Sequence, residues 1–213
     1  MDNLPFAIIG CGGHSKVVIS ALKASHKDIY AVFDDDEVKV NRLFFANTLI
    51  QKIPTIEWWD HHTVNTILAI GSNRGREKIA QNLPNITWGK SIHPTAVIHE
   101  SSIIGEGTYI GANVVIQPDV IIGNHCIINT GAIIEHDVVV GDYCHIAPGS
   151  ILTGHVKIGV GTLIGAGTTI IPEIIIGEWC IIGAGSVVIR DIKSFQKAYG
   201  NPCQVKSSIE NTL

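Results

Sequence analysis

Every sixth residue from Ile98 to Val188 is aliphatic: Ile98, Ile104, Ile110, Ile116, Ile122, Ile128, Ile134, Val140, Ile146, Leu152, Ile158, Ile164, Ile170, Ile176, Ile182 and Val188. The residue four places further on tends to be small or β-branched, as in Ser102, Thr108, Val114, Cys126, Ala132, Cys144, Ser150, Thr162, Thr168 and Ser186. Glycine often follows the aliphatic residue directly. A helix repeats every 3.6 residues and a half-buried strand every two, so a six-residue period fits neither. It requires a solenoid in which each hexad is a short flat strand plus a turn. Three hexads close one triangular coil of 18 residues, and the fifteen hexads from Ile98 to Val188 make five coils. The aliphatic residue then points into the prism, the small one fits where the chain turns, and backbone groups pair with the coils above and below.

The rest of the composition sets limits. With 213 residues, 46% of them hydrophobic and 16% charged, the chain can bury one large core or two small ones. A net charge of −4 without a basic tract argues against a nucleic-acid partner. The opening MDNLPFAIIG lacks the basic and long apolar regions of a secretory signal, and glycine and polar residues keep every apolar run below spanning length. A soluble cytoplasmic protein with no membrane insertion is expected. Five cysteines without a CxxC pair argue against a disulfide framework or zinc ribbon. Cys126, Cys144 and Cys180 share the small position and are expected to stack on one corner as buried side chains, with no metal or redox role.

Ahead of the prism, residues 4 to 9 (LPFAII) read as a buried strand, and GCGGHSKVVISALKAS as a glycine-rich turn opening a helix with Val17, Val18, Ala21 and Leu22 inward. IYAVF gives a second strand ending at Asp34, Asp35 and Asp36, and TILAIG a third ending at Gly71, followed by a helix from about Arg74 to Gln81. Trp58 and Trp59 fall on a surface helix as packing residues. This is a βαβ-type, Rossmann-like unit with its loops at the carboxyl ends of parallel strands, where such sheets bind ligands. The turn at Gly10, Gly12 and Gly13 offers backbone amides at a helix N-terminus to a diphosphate. Ser15 stands where a dinucleotide fingerprint has its third glycine, and the unit is too short for a full dinucleotide domain, so a nucleotide is expected and NAD is not. Asp34 lies at the distance where an acid commonly binds ribose hydroxyls. Residues from about 82 to 97, broken by Pro84 and Pro94, bridge to the prism, and the aperiodic tail after Val188 caps its last coil. The division is a nucleotide-binding βαβ domain over 1–91 and a hexad-repeat domain with its cap over 92–213.

The hexads resemble those of the hexapeptide-repeat acyltransferases, which implies a left-handed parallel β-helix, a homotrimer, and acyl-CoA bound between prisms. IIGCGGHSKVV, FDD, AIGSNRGR, IHPTAVI and INTGAIIEHDVVVGDYCHIAPGSILTGHVKIG together resemble the PglD, PerB and NeuD-like sugar acetyltransferases over nearly the whole chain. The resemblance implies acetyl transfer from acetyl-CoA to the 4-amino group of a UDP-, dTDP- or GDP-linked amino-dideoxy sugar, in O-antigen, capsule or glycan synthesis. His136 in EHD matches the general base and Asp137 the acid that raises its basicity. An imidazole suits the task, because an amine must be neutral to attack a thioester and imidazoles exchange protons near neutral pH. His145 in CHIAP matches the histidine that contacts acetyl-CoA. Ala166 and Ala184 match positions lining the CoA channel, and Gly12, Gly13, His14, Asp34, Asp35 and Gly71 match the nucleotide-sugar contacts. His136 and His145 are half a coil apart, so they fall on different faces of one chain and meet only across a subunit interface.

Three other readings compete. Sialic acid O-acetylation would use the same base. A γ-type carbonic anhydrase shares the prism and holds zinc with three histidines, but His125, His136, His145 and His155 differ in hexad position and form no obvious three-ligand cluster in the sequence. His125 and His155 read as surface or turn residues. A non-enzymatic trimeric scaffold leaves EHD unexplained.

Overall fold

The structure, a computed structural model, describes residues 4–83 and 85–209; Pro84 lies outside them. The N-terminal unit is a four-stranded parallel sheet. Its strands are β1 (Phe6–Ile9), β2 (Ile29–Asp34), β3 (Ile50–Lys52) and β4 (Asn65–Leu68), in the spatial order β3-β2-β1-β4. Helix α1 (Gly13–Ala24) joins β1 to β2, α2 (Ile56–His61) precedes β4, and α3 (Asn73–Asn82) follows it. All four residues of β1 are buried, as a central strand covered on both faces requires. The chain winds outward from β1 through β2 to β3 and then returns to place β4 on the other side of β1. The strand order therefore reverses between β1 and β4, and the crevice outside their carboxyl ends is where an open α/β sheet receives a ligand.

Three local differences from the sequence reading have simple causes. β3 was not expected, because it is three residues long with Ile50 alone buried, too short for a periodic signal. On α1 the buried aliphatic residues are Val18, Ile19, Ala21 and Leu22, while Val17 is exposed: Ile19, and not Val17, completes the inward stripe. Trp59 is buried on α2 and packs edge-on against Phe33 and Trp58, the expected packing role.

The prism is built from two-residue strands that pair in parallel with residues 18 further on, as Ile121 with Val139 and Ile127 with His145. They form three faces. The first carries the strands from Val97–Ile98 to Val187–Val188, the second those from Ile103–Ile104 to Ile175–Ile176, and the third those from Ser91–Ile92 to Ile181–Ile182. The register thus begins one hexad before Ile98, at Ile92. From Ile110 onward every aliphatic register position is buried, and all of these residues belong to one continuous core. The small position does more than fill the turn. Thr108, Ser150, Thr162 and Thr168 each donate a hydroxyl hydrogen bond, at 2.7 to 3.2 Å, to the backbone carbonyl 15 residues on. The thiols of Cys126 and Cys144 make the same contact at 3.1 and 3.0 Å. Each of these buried hydroxyls and thiols is thereby satisfied inside the coil stack.

After Val188 the chain lays Gln196–Tyr199 in parallel along Ile181–Ile182 and folds Gln204–Ser208 back antiparallel on it, so the tail covers the last edge of the third face. No described helix is long and apolar enough to cross a membrane.

The N-terminal unit docks on the third face. Tyr109 and Ile127 from that face are buried in the core that includes Phe6, Ile8, Val18 and Leu22. Arg76 of α3 is the polar latch. It is 1% exposed and donates to the carbonyls of Ile70 and Gly71 on its own side, and to those of His125, Tyr143 and Cys144 on the prism, at 2.8 to 3.2 Å. Among the described residues, none of its hydrogen-bond partners is a carboxylate. Burial pulls its pKa down to about 10, so the guanidinium still carries its charge at neutral pH.

Candidate active site

Two cavities share Gly71: one lies within the N-terminal unit and the other at its junction with the prism. One, of about 460 Å³, opens at the reversal of strand order and is lined by residues 10–14 after β1, Asp34, Asp35, Asp36 and Lys39 after β2, and residues 69–71 after β4. The other, of about 330 Å³, is lined by residues 71–74, His145, Gly161, Leu163, Trp179 and Ile181, and Gly71 borders both. The rings of His14 and His145 lie 6.5 Å apart between them.

The glycines of the first cavity divide into two kinds. Gly10 has φ +105°, and a Cβ there would stand 2.7 Å from Ile70 Cγ1, so the fold itself demands glycine. At Gly12, Gly13 and Gly71 an added Cβ would meet nothing within 4 Å. The protein's own packing does not require glycine there, and the room those positions leave opens into the cavity. Gly12 caps α1, a twelve-residue helix with no side-chain cap and no acid in its first turn, so its amides and positive dipole end remain available to an anion.

Asp34 has a structural task as well as a rim position. One of its oxygens accepts from the Cys11 amide at 2.8 Å and the other from the Asp36 amide at 2.9 Å, tying the glycine turn to the end of β2. Burial pushes its pKa up, but hydrogen bonds from Cys11 and Asp36 and the charge of Lys39, 3.7 Å away, hold it below the usual carboxylate value. Asp35 beside it is exposed. Lys39 was not anticipated; it lies in a loop without periodicity and brings a cation to the cavity.

His14 and His145 are environments of one kind. Burial, followed by the charge of Arg76, lowers each to about 4, so both imidazoles are neutral at physiological pH. His145 Nε2 lies 3.2 Å from Asn129 Nδ2. His125 is a turn residue but not a surface one: it is 5% exposed, stacked on Tyr143 and edge-on to Trp88 beneath the docked unit, and is likewise lowered to about 4, first by burial.

His136 and Asp137 stand elsewhere, on the corner between the first and second faces. His136 Nδ1 donates to Asp137 Oδ2 at 2.8 Å, since an ionised carboxylate can only accept. This leaves the lone pair on Nε2, which has no hydrogen-bond partner among the described residues. Gly154, one coil on, makes room for the ring: a Cβ there would lie 2.6 Å from His136 Cε1. His155 Nε2 lies 3.7 Å from the same Asp137 oxygen, so the structure does assemble a three-residue cluster of metal-ligating type, although with one carboxylate and not three histidines. Ala166 and Ala184 are exposed and stacked on the corner between the third and first faces, with Gly185 N bonded to Ala166 O at 2.8 Å. In one chain, then, His145 lies on the third face, while His136 and the two alanines sit on corners at opposite edges of the first.

The N-terminal unit matches the PglD N-terminal domain over residues 5–83, and the prism matches the bacterial transferase hexapeptide model over 101–136, 119–154 and 155–190. Perosamine N-acetyltransferase from Caulobacter crescentus, solved as a variant with CoA and GDP-perosamine, superposes with a TM-score of 0.90 at 35% identity, covering 96% of this chain and 97% of that one. The acetyltransferase domain of PglB from Neisseria gonorrhoeae FA1090, solved with acetyl coenzyme A, superposes at 0.85 with 29% identity over 96% of this chain and 100% of the other. UDP-N-acetylbacillosamine N-acetyltransferase of Bacillus subtilis (strain 168) is 38% identical over 120 residues, 50% of each chain. The curated relatives are matched over half their length or less. The fold is a left-handed parallel β-helix of hexapeptide repeats with a βαβ unit docked on one face. The chain belongs to the PglD and PerB-like family of acetyl-CoA-dependent sugar N-acetyltransferases.

Proposed function

We propose that this protein moves the acetyl group of acetyl-CoA onto the 4-amino group of a nucleotide-linked amino-dideoxy sugar, with His136 as general base. The observation that carries the reading is the His136–Asp137 hydrogen bond at 2.8 Å, which fixes the imidazole as a base with Nε2 free. The nucleotide side is supported by the cavity at the strand-order reversal, whose glycines at 12, 13 and 71 have no internal reason to be glycine. The diphosphate sits at the start of α1 on the amides of Gly12, Gly13 and His14, with Asp34 and Asp35 toward the ribose and Gly71 at the exit toward His145. GDP-perosamine and CoA bound in the relative agree with both halves of the reaction.

The chemistry follows from the atoms present. The neutral amine attacks the thioester carbonyl, Nε2 of His136 takes its proton, and the Asp137 carboxylate favours the imidazolium that forms. The tetrahedral intermediate, its oxyanion held by backbone amides, collapses to the amide and CoA thiolate, which recovers the proton from His136. His145, neutral in its buried place, holds the acetyl-CoA end of the cleft, and the backbone at Ala166 and Ala184 lines the pantetheine channel.

These parts meet only if copies of the chain assemble. The second face presents Ile103, Ile121 and Ile175 outward at 61, 45 and 49% exposure, in a column that is aliphatic apart from Lys157 and that a homotrimer would cover. Light scattering at three times the 22.9 kDa chain is expected, and a monomer would refute the assembly. For the reaction, acetylated product is measured across UDP-, dTDP- and GDP-linked 4-amino sugars with sialic acid as comparator. Turnover of one nucleotide-linked amine is expected; turnover of sialic acid alone overturns the assignment in favour of O-acetylation.

A further inference from the structure

We infer that the corner formed by His136, Asp137 and His155 is a binding site for a divalent first-row transition ion of the zinc type, and that the bound ion switches the transferase off. The second half of this statement rests on His136 being the base; the first does not.

The three side chains are brought together by the repeat itself. Asp137 and His155 are 18 residues apart, so they occupy the same turn position in successive coils, with φ of 60° and 61°. Adjacent strands are about 4.8 Å apart, which sets the spacing of those two side chains. His136 reaches the same point from the neighbouring position because Gly154 leaves space for its ring. Asp137 Oδ2 is 2.8 Å from His136 Nδ1 and 3.7 Å from His155 Nε2, and ligand atoms from all three residues lie within 4.8 Å of one another. Tetrahedral donors about 2.1 Å from a zinc ion are roughly 3.4 Å apart, so these separations bracket the requirement and modest ring rotations close it. All three side chains are about half exposed, which permits those rotations and leaves the fourth coordination position to water.

The donor set selects the ion. Two imidazoles and one carboxylate suit zinc, cobalt and nickel, whereas magnesium and calcium require oxygen ligands. Asp119 and Glu173 stand in the same turn column one coil to either side, with φ of 61° and 67°, and make the corner net negative. The consequence for catalysis follows from His136 whichever ring nitrogen binds. An ion on Nε2 occupies the lone pair that accepts the substrate proton. An ion on Nδ1 breaks the hydrogen bond to Asp137 and forces the proton onto Nε2, with the same result.

The test uses the full-length protein after treatment with a chelator. Zn2+ is titrated by calorimetry, and Co2+ by its visible d–d absorption, with Mg2+ as control. One saturable Zn2+ per chain is expected. His155→Asn keeps the left-handed turn that asparagine tolerates and is expected to bind at least ~10-fold more weakly. Acetylated sugar is followed by chromatography, because the CoA thiol itself binds zinc. One equivalent of Zn2+ should abolish wild-type turnover reversibly and leave His155→Asn active. Absence of saturable binding, or equal binding by His155→Asn, overturns the site. Binding with undiminished turnover keeps the site and overturns His136 as the base instead.

Discussion

Two corners of the same prism use one backbone turn for opposite ends. Between the first and second faces, Asp119, Asp137, His155 and Glu173 take up the left-handed turn position in successive coils and stand in solvent. Between the second and third faces, the same position is held by Gly107, His125, Tyr143, Gly161 and Trp179. There the rings lie flat over the stack: a Cβ at Gly107 would be 2.3 Å from the His125 ring, and one at Gly161 equally close to that of Trp179. Arg74 stacks on Trp179 at 3.4 Å, Asn73 bonds the Gly161 carbonyl at 2.9 Å, and Arg76 collects the carbonyls around His125 and Tyr143. The turn geometry is therefore neutral as to role. Water on one side leaves an imidazole accessible to ligands; a docked domain on the other keeps it neutral and turns it into packing.

The open corner breaks with the largest effect. His136→Ala is expected to lower kcat by ~10²–10⁴-fold, the range of a lost general base. Being exposed, the change should shift unfolding stability by no more than about 0.5 kcal/mol. Product formation and a urea midpoint on the same preparation check both halves; near wild-type turnover removes His136 from the mechanism.

The covered corner should answer in the reverse way. Arg76→Met strips donors from five buried or half-buried carbonyls, and at about 1–3 kcal/mol for a buried group left unsatisfied, a loss of roughly 3 kcal/mol or more is expected. Turnover of the fraction that remains folded should change mainly through KM for the nucleotide sugar, because Arg76 holds the Ile70 and Gly71 carbonyls on the cavity rim. A urea denaturation curve indistinguishable from wild type would show that apolar contacts alone fix the two units together.

The contrast also accounts for what the sequence made visible. The prism is a one-dimensional repeat whose core demands an aliphatic residue every sixth place, so its coil length, inward register and cysteine column could be read directly. The carboxyl-end rim of the βαβ unit was equally readable, because glycine after a strand carries local meaning. Arg76 could not be seen: in NRGREKIAQN an arginine reads as solvated helix surface, and only the partner domain buries it. His155 was within reach, since adding one 18-residue coil to Asp137 lands on it. Alone it reads as a surface turn residue, which it is, and its proximity to Asp137 appears only once the coils are stacked. Asp34 was placed on the correct rim, but its bond to the Cys11 amide is a tertiary fact that no spacing encodes.

Acid supplies the smallest and most diagnostic separation of the two corners. His125 is 5% exposed, and burial, then the Arg76 charge, lowers it to about 4, against the weaker opposing pull of Asp142 and Glu106. In the unfolded chain a histidine titrates near ~6.5. Between those values the unfolded state binds the proton that the folded state refuses, so stability is present above pH ~6.5 and lost as pH falls toward 4. For His125 the loss amounts to roughly 2 kcal/mol by pH 4.5, and His14 and His145 at the same junction act in the same direction. Urea midpoints at pH 7.5 and 4.5 should therefore fall further apart for the wild type than for His125→Asn. Asparagine accepts the φ of 53° at that turn, so the variant is expected to be less stable at pH 7.5, having lost its stack on Tyr143, yet flatter toward acid. An equal drop in both proteins would mean that the covered corner does not hold its histidine neutral, and the distinction between the two corners would then rest on packing alone.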